Sequence, residues 1–267
     1  MRKSFNIFAA VTVTALALSL AVEPAKAAVI NWGTPVTIAG TGSQVDTTGS
    51  LVASANFGSG TAATVNGVTF NAFSIVGSPT SATVGAITVA ALGASVNSSN
   101  LANLNTGDST SGTPYDLLGD TAYRALVAQT AVVRSGGSMD ITVGGLTPQA
   151  QYLVQYWASD SRLGASTRVV TLNATNSVTL DVNSTDSAGG IGQWVTGTFT
   201  ADASSQSFSV VGSTGIPTTY ANAMQVRMIA VPEPTQMVFV AAIGAALGMW
   251  RTRKLRRDGR GSDATAC

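Results

Sequence analysis

Met139, Ile141 and Val143 alternate with Asp140 and Thr142, and the same two-residue period returns in short runs from Asn31 to Ala230. A period of two sends successive side chains to opposite faces of an extended strand, whereas a helical face repeats near every 3.6 residues. Val195 and Phe199 alternate with Thr196, Thr198 and Thr200, Phe208 and Val210 alternate with Ser207 and Ser209, and Ala223 to Ile229 closes the series. Gly, Asn, Ser and Asp separate the runs, as tight turns require. Asn66-Gly67, between Val65 and Val68, is the pair a two-residue hairpin prefers, because both positions tolerate positive φ. Gly144-Gly-Leu-Thr-Pro148 turns into Tyr152-Leu-Val-Gln-Tyr-Trp157, apolar on both faces as a central strand would be. The expectation is an all-β chain with a single β-sandwich domain over 28–230. Tyr115 to Leu126 interrupts this text with good helix formers, and is expected to pack along an edge of the sandwich or fill an end.

Composition removes whole classes of chemistry. Histidine is absent and the only cysteine is Cys267, so disulfides, cysteine-rich zinc sites and a Ser-His-Asp triad are excluded. Cys267 also lacks the four-residue context of a prenylation signal. Charged residues make up 10% of the chain, against roughly 25% in an ordinary soluble protein. The overall charge of +1 averages unlike parts. Between 28 and 235 only Arg124, Arg134, Arg162, Arg168 and Arg227 stand against nine aspartates and Glu233, a net of −5. A mildly acidic body with scattered arginines lacks the footprint of a phosphate-binding surface, so no nucleic-acid partner is expected. No cofactor is expected either.

Each end of the chain carries an address. Met1-Arg2-Lys3 is a positive start, Ile7 to Val22 an apolar stretch, and Ala25-Lys-Ala27 a small-x-small exit of the kind signal peptidase reads. This predicts a signal peptide over 1–27, cut after Ala27, with the mature chain beginning at Ala28; the alternative is an uncleaved anchor. Near the other end, Met237 to Trp250 runs 14 residues without charge, and Arg251, Arg253, Lys254, Arg256 and Arg257 follow at once. As a helix, that stretch reaches about 21 Å, short of a ~30 Å hydrocarbon core unless Trp250 and snorkelling arginines extend it. The basic cluster would stay in the cytoplasm, which places the preceding domain outside, where a signal peptide delivers it. The alternative, a buried core helix, seldom runs straight into a cationic cluster. Asp258 to Cys267 is read as a disordered trailing segment.

Just before the apolar stretch, Val231-Pro232-Glu233-Pro234 forms a stiff extended spacer, since neither proline can continue a helix or a central strand. Pro-Glu-Pro, a short apolar helix and a terminal arginine cluster, in that order, resemble the PEP-CTERM sorting signal of Gram-negative-type bacteria. The resemblance covers about the last 35 residues, and the segment Asp258 to Cys267 is a longer trailer than the pattern has. It implies that an exosortase, an integral-membrane cysteine transpeptidase, recognises Val231 to Pro234. The helix then anchors the chain to the membrane only in passing, and the domain ends at the cell surface, in extracellular polysaccharide or in a biofilm matrix. The Gly-Leu-Thr-Pro turn followed by Gln151-Tyr-Leu-Val-Gln-Tyr-Trp-Ala-Ser-Asp-Ser-Arg162 resembles the jelly-roll ectodomains paired with such tails, and faintly the galactose-binding-type modules.

Within the body each candidate site has a plainer alternative. Trp157 and Trp194 could stack on a sugar face or pack in the core. Asp160 and Arg162 could bind sugar hydroxyls or pin the loop after Trp157. Asp116 and Asp120, four apart, would share a helical face as a paired acid and base, or would solvate and cap the helix. Asp181, Asn183 and Asp186 crowd a loop with oxygen ligands, but their spacing is not that of an EF-hand and a turn rich in Asx residues explains them, so no metal is expected. Asn97, Asn173 and Asn183 each begin an Asn-x-Ser/Thr triplet, a pattern frequent by chance in such a composition.

These readings lead to an exported, non-enzymatic structural or interaction protein of the cell surface or extracellular matrix. Its partners would be signal peptidase and the secretion machinery, the exosortase and, in passing, the membrane. The alternatives are a carbohydrate-binding module acting on extracellular polysaccharide and a polysaccharide-cleaving enzyme that works with carboxylates alone.

Overall fold

A computed structural model describes residues 29–93, 100–108, 110–134, 136–162, 168–213 and 218–230. The expectations for Ala25, Ala27 and Ala28, for Asn97, for Val231 to Pro234, and for Trp250, Arg251, Arg253, Lys254, Arg256 and Arg257 lie outside the described residues. Among the described residues no helix is long and apolar enough to cross a membrane.

The described chain is all-β apart from one short α-helix and a 3-10 turn at Gly42–Gln44. In order come β1 (Asn31–Trp32), β2 (Val36–Thr37), β3 (Ser50–Phe57), β4 (Ala63–Val65), β5 (Val68–Phe73), β6 (Ser81–Val84), β7 (Ile87–Leu92) and β8 (Leu101–Asn105). The helix α1 (Thr121–Val127) is followed by β9 (Gln129–Arg134), β10 (Ser138–Val143), β11 (Gln151–Ala158), β12 (Val169–Asn173) and β13 (Ser177–Asp181). β14 (Gln193–Thr200), β15 (Gln206–Gly212), β16 (Thr218–Ala221) and β17 (Ala223–Ala230) complete the set.

These strands build an eight-stranded sheet in the order β1-β14-β11-β17-β3-β5-β4, with β2 also on β14. A six-stranded sheet runs β13-β12-β15-β10-β7-β6, and a three-stranded sheet runs β16-β9-β8. Pairing is antiparallel except between β3 and β5. Asn66 (φ 50°) and Gly67 (φ 73°) both sit at positive φ between β4 and β5, so the hairpin forms where the dipeptide predicts it.

The large sheet packs face to face on the other two, and the alternation dictates how. Met139, Ile141 and Val143 of β10, Phe208 and Val210 of β15, and Val195 and Phe199 of β14 all enter one core with Tyr152, Val154 and Tyr156 of β11. Tyr156 meets Phe208 edge to face across this core, ring centroids 6.3 Å apart. A β-sandwich results, with inward residues interdigitating between the layers.

Part of the opposite face of the large sheet is covered as well. The helix α1 packs mainly on β4, the edge strand, and lies over the end of the outer face that carries Trp157. Tyr123, Leu126 and Val127 join Phe70, Val65, Ile38 and Trp157 in a second apolar cluster. β11 therefore needs apolar residues on both faces, which is why its sequence does not alternate. Beside the helix, Gln155 donates to the Gln44 carbonyl (2.6 Å) and accepts from Asp46 N (3.0 Å). Arg227 donates to the carbonyls of Thr47, Thr48 and Gly49 at 2.8–3.0 Å. Residues 44–49 are thereby strapped across the middle of the sheet. Gly49 has φ +71°, and a Cβ there would stand 2.1 Å from the Met228 carbonyl oxygen, so this crossing requires glycine.

Candidate functional site

The residues singled out from the sequence fall mostly into structural roles. Trp157 is fully buried, its ring edge to face with Phe70 at 5.5 Å. Its Nε1 donates to the Tyr123 hydroxyl at 2.8 Å, so the indole has no face left for a sugar. Trp194 is its partner across β11 and β14 and shares the outer face, half-buried at the margin of the second cluster. The core alternative describes Trp157, and the two indoles do not form an open platform.

Asp160 follows β11 and is completely buried. Its carboxylate takes two bonds from Arg162, Nε to Oδ1 at 2.8 Å and Nη2 to Oδ2 at 2.5 Å, and a longer one from Arg168 Nη1 at 3.5 Å. Arg168 Nη1 also donates to the Tyr220 hydroxyl, and the guanidinium lies 5.8 Å from the Tyr220 ring centroid. The hydrogen bond to Asp160 strengthens the hold of Arg162 on its proton, and burial pushes the Tyr220 hydroxyl above its ordinary range. A buried carboxylate satisfied by two guanidiniums pins the loop. Arg168, eight residues on, and Tyr220, distant in sequence, are the partners a linear reading misses.

Asp116 and Asp120 do not form an acid–base pair on one helical face. Asp120 is the N-cap of α1, accepting from Ala122 N (2.9 Å) and Tyr123 N (3.1 Å), which satisfies donors the first turn leaves free. Asp116 lies before the helix, accepting from Gly112 N at 3.1 Å and pairing with Arg124 at 3.5 Å. In the acidic loop, Asp181 accepts from Asn183 N at 2.8 Å, and the buried Asn183 amide donates to the Ser187 carbonyl at 2.9 Å. Those side chains are spent on the turn, and the buried Asn183 cannot carry a glycan in this fold.

A concavity opens at the far end of the same sheet. Six residues along β11 from Trp157, about 20 Å away at a strand's rise, Gln151 faces outward beside Thr200 of β14. Together with Asn31, Thr198, Phe199 and Ile229 these residues line a cleft of about 220 Å³. Gln151, Asn31, Thr198 and Thr200 are exposed, while the Phe199 ring turns inward to stack on Tyr152 at 5.4 Å. Register places Asn31 against Thr198 and Gln151 against Thr200. The pairing of β11 with β17 slips between Gln151 and Tyr152, which face Ala230 and Met228, so Ile229 is the extra residue of a β-bulge. Sequence reading registered Thr196, Thr198 and Thr200 only as the polar half of an alternation. Four strands distant in sequence make the cleft, and no single run announces it.

Comparison with known proteins adds little to this geometry. No family model and no curated protein sequence matches the chain. A solved structure described as a structural basis for the promiscuous specificity of carbohydrate-binding modules from the β-sandwich superfamily is similar at 13% identity. It covers 70% of this chain and 97% of that one, with a TM-score of 0.15. So small an overlap carries no argument about ligand or fold.

Proposed function

We propose that this chain is an exported surface or extracellular-matrix protein, whose jelly-roll-like sandwich is displayed after an exosortase-type tail is processed. The observation that carries the reading is the fit between the fold and the two addresses. Among the described residues the first strand begins at Asn31, shortly after the expected cleavage at Ala27, and the last ends at Ala230, immediately before Val231-Pro-Glu-Pro. A structural or interaction role is supported by the fate of the carboxylates singled out from the sequence. Asp120 caps a helix, while Asp116 and Asp160 are held in ion pairs.

The test replaces Pro232, Glu233 and Pro234 with alanine in a bacterium that carries the sorting machinery. The substituted chain should accumulate in the membrane fraction with its arginine cluster attached, while the unchanged chain leaves that fraction. Identical distribution of the two would refute the proposal.

A further inference from the structure

The outer face of the large sheet divides into three zones. Helix α1 seals the end at Trp157, the 44–49 strap bound by Gln155 and Arg227 covers the middle, and among the described residues nothing covers the end at Gln151. The bare end is concave because β1 and the bulge at Ile229 flank β11 and β14 there.

Its chemistry is specific. The side chains of Asn31, Gln151, Thr198 and Thr200 each combine a donor with acceptors, whereas a carboxylate only accepts and a guanidinium only donates. Among the described residues no charged side chain lines the cleft. The Asn31 amide is held by Asn176, whose Nδ2 donates to its Oδ1 at 3.2 Å. Ile229 supplies an apolar surface beside them. Thr198 and Thr200 lie about 7 Å apart along β14, and adjacent strands lie about 4.8 Å apart. The polar groups therefore converge on one small ligand rather than spreading along a long one. At about 220 Å³ the cleft falls below the roughly 300–1,000 Å³ of sites that enclose drug-sized ligands and is on the scale of a single sugar ring.

We infer that this cleft binds one ring of a neutral sugar, as a unit of an uncharged polysaccharide. The ring hydroxyls both donate to and accept from the two amides and two threonines, and a C–H face rests on Ile229. A neutral ligand matches an uncharged lining, whereas an anionic one would find no cation among the described residues. The inference goes beyond surface display and does not rest on it, since it concerns Asn31, Gln151, Thr198, Thr200 and Ile229 wherever the chain resides.

Native affinity electrophoresis of the full-length chain tests it, in gels containing laminarin, galactomannan or xyloglucan, with alginate as the polyanionic control. At least one neutral polysaccharide should retard the chain. Thr198→Ala and Gln151→Ala should each weaken that retardation about tenfold, the scale of one lost hydrogen bond, while Thr179→Ala on the other sheet leaves it unchanged. All three positions are exposed, so the variants keep the core intact. Migration unaffected by every neutral polysaccharide, retardation by alginate alone, or retardation that survives both cleft substitutions would each overturn the inference.

Discussion

The indole Nε1 of Trp157 donates to the hydroxyl of Tyr123 at 2.8 Å, fastening an inner strand of the large sheet to the helix that lies over its outer face. Both groups are buried, and burial raises the Tyr123 hydroxyl far above its ordinary pKa, so it stays protonated. Removing the acceptor strands an indole N–H in an apolar cluster. Tyr123→Phe is expected to cost about 1–3 kcal/mol and Trp157→Ala about 3–5 kcal/mol, read from urea unfolding midpoints. Equal, near-zero losses would mean that the helix does not depend on this contact.

Asp160 is the second structural keystone. Asp160→Ala leaves Arg162 and Arg168 without their shared carboxylate, and a cost of about 3 kcal/mol or more follows from breaking a buried pair from its inner side. Arg162→Ala should cost clearly less, because that guanidinium is about one-third exposed and Arg168 still faces the carboxylate. Chemical denaturation of the two variants measures the difference, and the reverse order would contradict the assignment.

Alkaline pH should weaken the fold through its tyrosines. Burial pushes Tyr115 up to about 12 and raises Tyr156 and Tyr220 as well, whereas an unfolded tyrosine titrates near ~10. The folded state therefore holds these protons more tightly than the unfolded state. Their contribution to stability is complete below about pH 10 and is lost as pH rises toward 12. Urea midpoints should be level at pH 8 and 9 and fall steeply by pH 11, with a shallower fall for Tyr115→Phe.

Arg227 holds residues 47–49 to the sheet through three carbonyls. Arg227→Met keeps the apolar stem but strands those acceptors, so amide hydrogen exchange should rise locally around the strap. Protection across β11 should persist, since α1 seals the sheet independently. Uniform loss of protection would show that the strap and the sheet open together.

What could be read in advance follows physical range. Asn66-Gly67 and the alternation of Met139, Ile141 and Val143 are local, and the hairpin and the buried face appear where those residues place them. The run from Tyr152 to Trp157, apolar apart from Gln155, announced a strand covered on both sides, and β11 lies between β14 and β17 with these residues buried on both faces. What covers its outer face was not legible, because nothing in Tyr115 to Leu126 says which surface the helix will meet. Asp160 was visible as a carboxylate beside Arg162, but its second guanidinium comes from Arg168 and that guanidinium's phenol from Tyr220. The cleft was the least legible feature: Asn31, Gln151, Thr198 and Ile229 meet only through the register of four strands.

The central claim is that the sandwich is delivered outside the cell and cut free of its tail, and intact-mass analysis of the chain recovered from the extracellular material of a producing bacterium tests it most directly. The account predicts a chain that begins near Ala28 and lacks Arg251 to Arg257. Recovery of the protein only as an intact, cytoplasmic chain, with Met1 to Ala27 and the arginine cluster both in place, would contradict it.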